Sequence, residues 1–115
     1  MTKATNLSLL YHYSAELIRV VDGDTCVLRV DLGFSVFVVI KARLFGINCP
    51  EMSTPAGPVA KQFAEDWFLK ANLLTIQSHG PDKYNRWDVT IWGNKDGVSL
   101  NDAILASGNA VVMKS

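Results

Sequence analysis

Three short polar clusters hold the residue types that chemistry needs. They are Asp22-Gly23-Asp24-Thr25, then Arg43 followed by Asn48-Cys49-Pro50-Glu51, then Asp82-Lys83-Tyr84-Asn85-Arg86. The Asp24 carboxylate, the Asn48 side-chain oxygen, the Cys49 backbone carbonyl and water form a hard oxygen set of the kind Ca²⁺ takes. Glu51 follows Pro50, whose fixed φ stiffens the loop, and it is a carboxylate placed to accept a proton from an aligned water. Arg43 and Arg86 bring planar guanidinium forks that match the edge of a phosphate. That inventory suits metal-assisted attack of water on a phosphodiester. Each piece also has a plainer alternative. Asp and Gly are common in turns for backbone reasons, and a lone arginine is usually a solvated charge. Only their convergence in space makes a site.

The elements that must bring them together are mostly strands. Glu16–Val21 leads into the Asp22-Gly23 hairpin dipeptide, Cys26–Leu32 follows, and Gly33 breaks it. Val36 to Phe45 alternates, with Val36, Val38, Ile40, Ala42 and Leu44 on one face. The 47–57 stretch, with Pro50, Pro55 and Gly57, reads as a loop. Pro58 suits a first helical position, and the spacing predicts a helix to about Asn72. Its apolar side is Val59, Phe63, Trp67 and Ala71, backed by Ala60, Ala64 and Phe68. Leu73–Gln77 reads as a strand, Ser78–Pro81 as a polar connection, and Trp87–Trp92 as the last strand. Ser99 with Asp102 three residues on marks the N-terminus of a short helix that Gly108 ends. The order predicts a mainly β fold: a five-stranded OB-fold barrel with a helix between strands 3 and 4 and a short helix after strand 5.

Composition bounds the rest. The 115 residues make one domain, 1–115, and 49% of them are hydrophobic, enough for a modest core. Eleven Lys and Arg balance eleven Asp and Glu, so no global basic field draws in nucleic acid and any attraction is local. Cys26 and Cys49 are too few and too far apart for a zinc motif and are expected as reduced thiols. His12 and His79 have no partner at a telling spacing and are expected to be structural or on the surface. Phe34, Trp87 and Trp92 are expected as core or rim aromatics. No apolar run is long enough for a membrane helix, so no membrane partner is expected. Met1–Asn6 lacks a signal-peptide pattern, which leaves an intracellular protein or a mature secreted form.

The combination of Val21–Thr25, Arg43-Leu44 with Pro50-Glu51, Gly57-Pro58, Asp82–Arg86 and Leu100-Asn101 through Gly108 resembles the staphylococcal nuclease (thermonuclease) family over about residues 16–113. The resemblance implies an OB-fold barrel carrying a Ca²⁺-dependent phosphodiesterase, an endonuclease on DNA and RNA. Cleavage on the 5′-oxygen side would leave 3′-phosphates. By position, Asp24 corresponds to a direct metal ligand and Asp22 to an acidic neighbour acting through water. Glu51 corresponds to the general base, also near the metal through water. Arg43 and Arg86 correspond to the pair that stabilises the phosphorane, Lys83 and Tyr84 to the residues touching the substrate's terminal phosphate. Single strands are the expected substrate, and a monomer the expected state.

Four departures from that pattern matter. Asn48 stands where the family usually has a second aspartate ligand. At a ligand distance of about 2.4 Å and an effective dielectric near 20, the lost charge weakens Ca²⁺ attraction by several kcal/mol before desolvation is subtracted. The loop from Glu51 to Gly57 is short. Asn85 replaces a glycine, and asparagine is the next-best residue for a left-handed backbone. Lys114 falls near the position where the staphylococcal enzyme has a tyrosine under the substrate base, and the sequence to Ser115 lacks that enzyme's final helix, so weaker binding is expected. The alternative function, from another class, is a catalytically weak or inactive OB-fold module that binds nucleic acid or protein.

Overall fold

A computed structural model describes residues 10–94 and 96–113. Lys114 lies outside them. The element order is β1 (His12–Asp22), β2 (Thr25–Gly33), β3 (Val36–Leu44), β4 (Ile47–Asn48), α1 (Ala56–Lys70), β5 (Leu74–Pro81), β6 (Trp87–Trp92), α2 (Leu100–Ala106) and β7 (Val111–Val112). Strands β1, β2, β3, β6 and β5 close into a barrel in that order, and β4 pairs with β7 in a separate two-stranded sheet. The expected five-stranded OB-like barrel with its two helices is therefore the fold. No helix among the described residues is long and apolar enough to cross a membrane.

The alternation that predicts the strands also builds the core. Cys26, Leu28 and Val30 of β2, Ala42 and Leu44 of β3, Ile76 of β5 and Val89 and Ile91 of β6 are buried on the inner face. Leu100 and Ile104 of α2 seal one end of the barrel beside them. Closure depends on a short parallel contact, Ala42–Leu44 of β3 beside Trp87–Val89 of β6.

Several boundaries differ from the sequence reading. Helix α1 starts at Ala56, with Pro55 as its first flanking residue. Pro58 then sits inside the first turn, where a missing N–H costs nothing. The helix ends at Lys70 because Ala71 turns extended. Its buried stripe is Gly57, Ala60, Ala64 and Trp67, whereas Val59 is 58% exposed. The stripe shifts because small residues let the helix lie against the β1–β2 turn. A Cβ on Gly23 would come within 2.8 Å of the Ala60 Cβ and 2.9 Å of the Cys49 sulfur.

Ser78–Pro81 belongs to β5 rather than to a loop. Gly80, at φ +112°, absorbs a register shift, and pairing resumes at Gly80 with Asp88 and Pro81 with Trp87. Phe34 is neither core nor rim. It stands fully exposed at the β2–β3 tip, where it and Ser35 adopt positive φ in a tight turn. Trp87 lies at a groove rim, and Trp92 stacks on His12 at 5.7 Å. His79 stacks on Phe45 and bonds Thr90 Oγ1, a structural role as expected.

Candidate active site

The β1–β2 turn carries the acidic pair. Asp22 pairs with Thr25 across it, and the Asp24 N–H donates to Asp22 Oδ1 at 3.2 Å. Asp24 is buried and its carboxylate is spoken for on both oxygens. Thr25 Oγ1–H donates to Oδ1, and the Cys49 N–H donates to Oδ2 at 2.9 Å. The contact between Cys49 and Asp24 runs through the Cys49 N–H. Burial, and then the neighbouring Asp24 carboxyl, raise Asp22 above the ordinary carboxylate range.

Arg43 joins the two loops. One guanidinium nitrogen donates to the Leu44 and Ile47 carbonyls at 2.9 and 3.0 Å. The other reaches Asp24 Oδ2 at 3.4 Å and the Asn48 side-chain oxygen. Asn48 is fixed from a third direction, because β4 pairs it with Val111 of β7 and the Met113 N–H bonds the Gly46 carbonyl. Asp24, Asn48, Cys49 and Arg43 thus form one hydrogen-bonded cluster, with Asp22 beside it.

Among the described residues no hydrogen bond or ion pair joins the other predicted residues to this cluster. Glu51 is exposed, on a loop held by its own carbonyl, which accepts from Thr54 N–H and Oγ1. Gly57 closes that loop tightly: a Cβ there would lie 2.2 Å from the Glu51 carbonyl oxygen. Arg86 ion-pairs with Asp82 at 2.8 Å and lies over the Tyr84 ring. The register pairs Arg43 with Asp88 and Ala42 with Trp87, so Arg86 immediately precedes the strand that lies beside Arg43. Lys83 and Tyr84 are exposed at the tip of that loop. Asn85 takes φ +61°, the left-handed conformation expected of it.

Asp82 is the residue whose role sequence reading left unassigned. Its Oδ1 accepts the Tyr84 and Arg86 N–H groups, while Oδ2 accepts Arg86 Nε–H. Burial pushes its carboxyl up, but those donors and the guanidinium charge outweigh it and hold the group below its ordinary value. The available signal was an Asp opening a turn with free N–H groups two and four residues on.

The donor chemistry fits a hard cation. Among the described residues no three His, Cys, Asp or Glu side chains assemble, so the set rests on two carboxylates and one amide oxygen. The Arg43 guanidinium occupies the Asp24 and Asn48 oxygens of that set and offsets the Asp24 charge. Cysteine chemistry fits poorly. Burial first, with the Asp22 and Asp24 charges adding to it, pushes Cys49 to about 12, and burial with the Asp22 charge takes Cys26 to about 12. Both thiols are free and protonated.

No curated protein matches the chain significantly. A family model described as Staphylococcal nuclease homologue matches residues 41–115, more than half of the chain. The matched stretch begins within β3 and takes in Arg43, the Asn48–Glu51 loop, the Asp82–Arg86 loop and α2; the Asp22–Thr25 turn precedes it. By that match, and with the barrel to go with it, the chain belongs to the staphylococcal nuclease homologue family.

Proposed function

We propose that the protein is a cation-dependent phosphodiesterase cutting single-stranded DNA and RNA on the 5′-oxygen side. The observation that carries this reading is the cluster of Asp24, Asn48 and Arg43, with Asp22 next to it. Asp24 and Asn48 would hold Ca²⁺, with Asp22 and Glu51 acting through water. A cation held there supplies Lewis-acid polarisation of a phosphoryl oxygen. Arg43 and Arg86 donate to the phosphate's other oxygens as negative charge builds on them. Glu51 would take a proton from the attacking water as its oxygen bonds to phosphorus; the bond to the 5′ oxygen breaks, that oxygen takes a proton from solvent, and a 3′-phosphate and a 5′-hydroxyl result. Lys83 and Tyr84 contact the terminal phosphate.

Digestion of single-stranded DNA with Ca²⁺ or with chelator, by wild type and by Glu51→Gln, tests the reading. Cleavage is expected with the cation alone, and about a hundredfold less of it in the variant, the lower range for a positioned base. Binding without cleavage in Ca²⁺, Mg²⁺ and Mn²⁺ would instead favour a non-catalytic OB-fold binder. The bond from Arg43 to Asn48 favours that second reading, since it occupies an oxygen the cation needs.

Position 48 sets the affinity. Asn48→Asp restores one formal charge, and Ca²⁺ binding measured calorimetrically without substrate is expected to tighten about tenfold or more, roughly 1.4 kcal/mol. Unchanged affinity would remove residue 48 from the ligand set.

A further inference from the structure

The β2–β3 ribbon carries a second surface at the end away from Asp24 and Arg43. Strand β3 pairs with β2 along its whole length but with β6 only at Ala42–Leu44. Among the described residues, 36–41 therefore have no strand on the side away from β2. The run Leu32–Ile40 contains no charged residue and no proline. Exposed strand edges are ordinarily blunted by lysine, proline or a bulge, and this stretch has none of these between its Gly33 corner and Lys41. Strand β3 is apolar on both faces here: Val36 and Val38 stand on one, beside Leu32 of β2, and Phe37 and Val39 on the other, where Arg29 of β2 lies over the Phe37 ring; Phe34 is at the tip, and these apolar residues are substantially exposed.

Below the inner face lies an open groove of about 510 Å³, rimmed by Tyr11, Leu32, Val38, Ile40 and Trp87. Among the described residues no lysine or arginine lines it. A nucleic-acid track needs cations to meet phosphates, so the groove's chemistry favours a protein occupant. The edge suits one occupant in particular, because an unpaired strand edge is complementary to itself when a two-fold axis turns the second copy antiparallel. In the register centred on Val38, Val36 faces the partner's Ile40 and Phe37 faces the partner's Val39. Lys41 then falls opposite Ser35, so no like charges meet. The exposed area of these side chains with Tyr11 and Trp87 is at most about 600 Å² per chain, below the ~800 Å² of a standard interface, so the unpaired backbone edge must carry part of the pairing.

We infer that a second copy of this chain pairs antiparallel along β3, joining the two β1–β2–β3 sheets and covering both grooves. This departs from the monomer expected of the sequence and does not depend on the nuclease reading. Sedimentation over a wide concentration range tests it. Wild type is expected at twice the chain mass of 12.6 kDa. Val38→Lys, at the axis, and Val39→Lys, on the exposed outer face, are each expected to sediment at half the wild-type mass. Circular dichroism should show the barrel intact in both. A wild type that is monomeric throughout overturns the inference and leaves the groove to a foreign apolar peptide. A dimer that persists in both variants overturns it by placing the interface elsewhere. Dimerisation only after removal of residues 1–9 also overturns it, because the chain itself would then cover the edge.

Discussion

Asn101→Ala is expected to cost about 3–5 kcal/mol of folding stability, the largest effect of any single side chain outside the apolar core. Asn101 is buried, near the start of α2, where an asparagine has no obvious business. Its oxygen accepts the Ile91 N–H at 3.1 Å, and its amide donates to the Phe45 and Val89 carbonyls at 3.0 Å each. One side chain thus joins α2 to β6 and to the corner after β3, from which Arg43 and Asn48 are reached. The Val89 carbonyl keeps a second donor, the Phe45 N–H. The Ile91 N–H and the Phe45 carbonyl would each lose a partner, at about 1–3 kcal/mol apiece, and the cavity adds to that. A domain of this size has roughly 5–15 kcal/mol in total, so urea denaturation should show a large fall in midpoint, and Tm should drop on the order of 10 °C. A loss below about 1 kcal/mol would show that water replaces the amide at no great cost.

Asn101 also shows where sequence reasoning stops. The barrel was legible because its signals are local: period-two alternation in β2 and β3, Asp-Gly at the first turn, and a Ser99 cap whose side chain does accept the Asp102 N–H. Asn101 sits within a stretch that carried the family resemblance, yet its partners lie 10, 12 and 56 residues away, a separation no local pattern encodes. Strands β4 and β7 were illegible for a related reason. Two residues each leave no periodicity, and only their pairing defines them. The α1 stripe misled because hydrophobicity alone favours Val59, while close approach to Gly23 selects Ala60 and Ala64. In the site, residue types were readable and contacts were not. Alternation puts Arg43 outside the barrel, but only the 44–48 corner and the Asp24 turn explain why its side chain is nearly buried there.

The two arginines, read as a pair with one role, separate on mutation. Arg86→Ala is expected to lower kcat/KM about 10²- to 10³-fold, the equivalent of about 2.7–4 kcal/mol of transition-state stabilisation, with little change in stability. The loop should survive, because Asp82 still accepts the Tyr84 and residue-86 backbone N–H groups. Arg86→Lys should recover little, since a point charge cannot replace a two-pronged donor. Arg43→Ala is expected to show the same kinetic loss and a stability loss besides. Its guanidinium satisfies the Leu44 and Ile47 carbonyls and neutralises Asp24 in a poorly solvated setting, and all three would lose that partner. Parallel measurement of cleavage and urea denaturation therefore distinguishes a residue that acts on substrate alone from one that also builds the site. Turnover within a factor of two of wild type in Arg86→Ala would remove that residue from catalysis. The same result in a folded Arg43→Ala would mean that Arg43 serves the corner and not the phosphate, which would favour the binding-module reading.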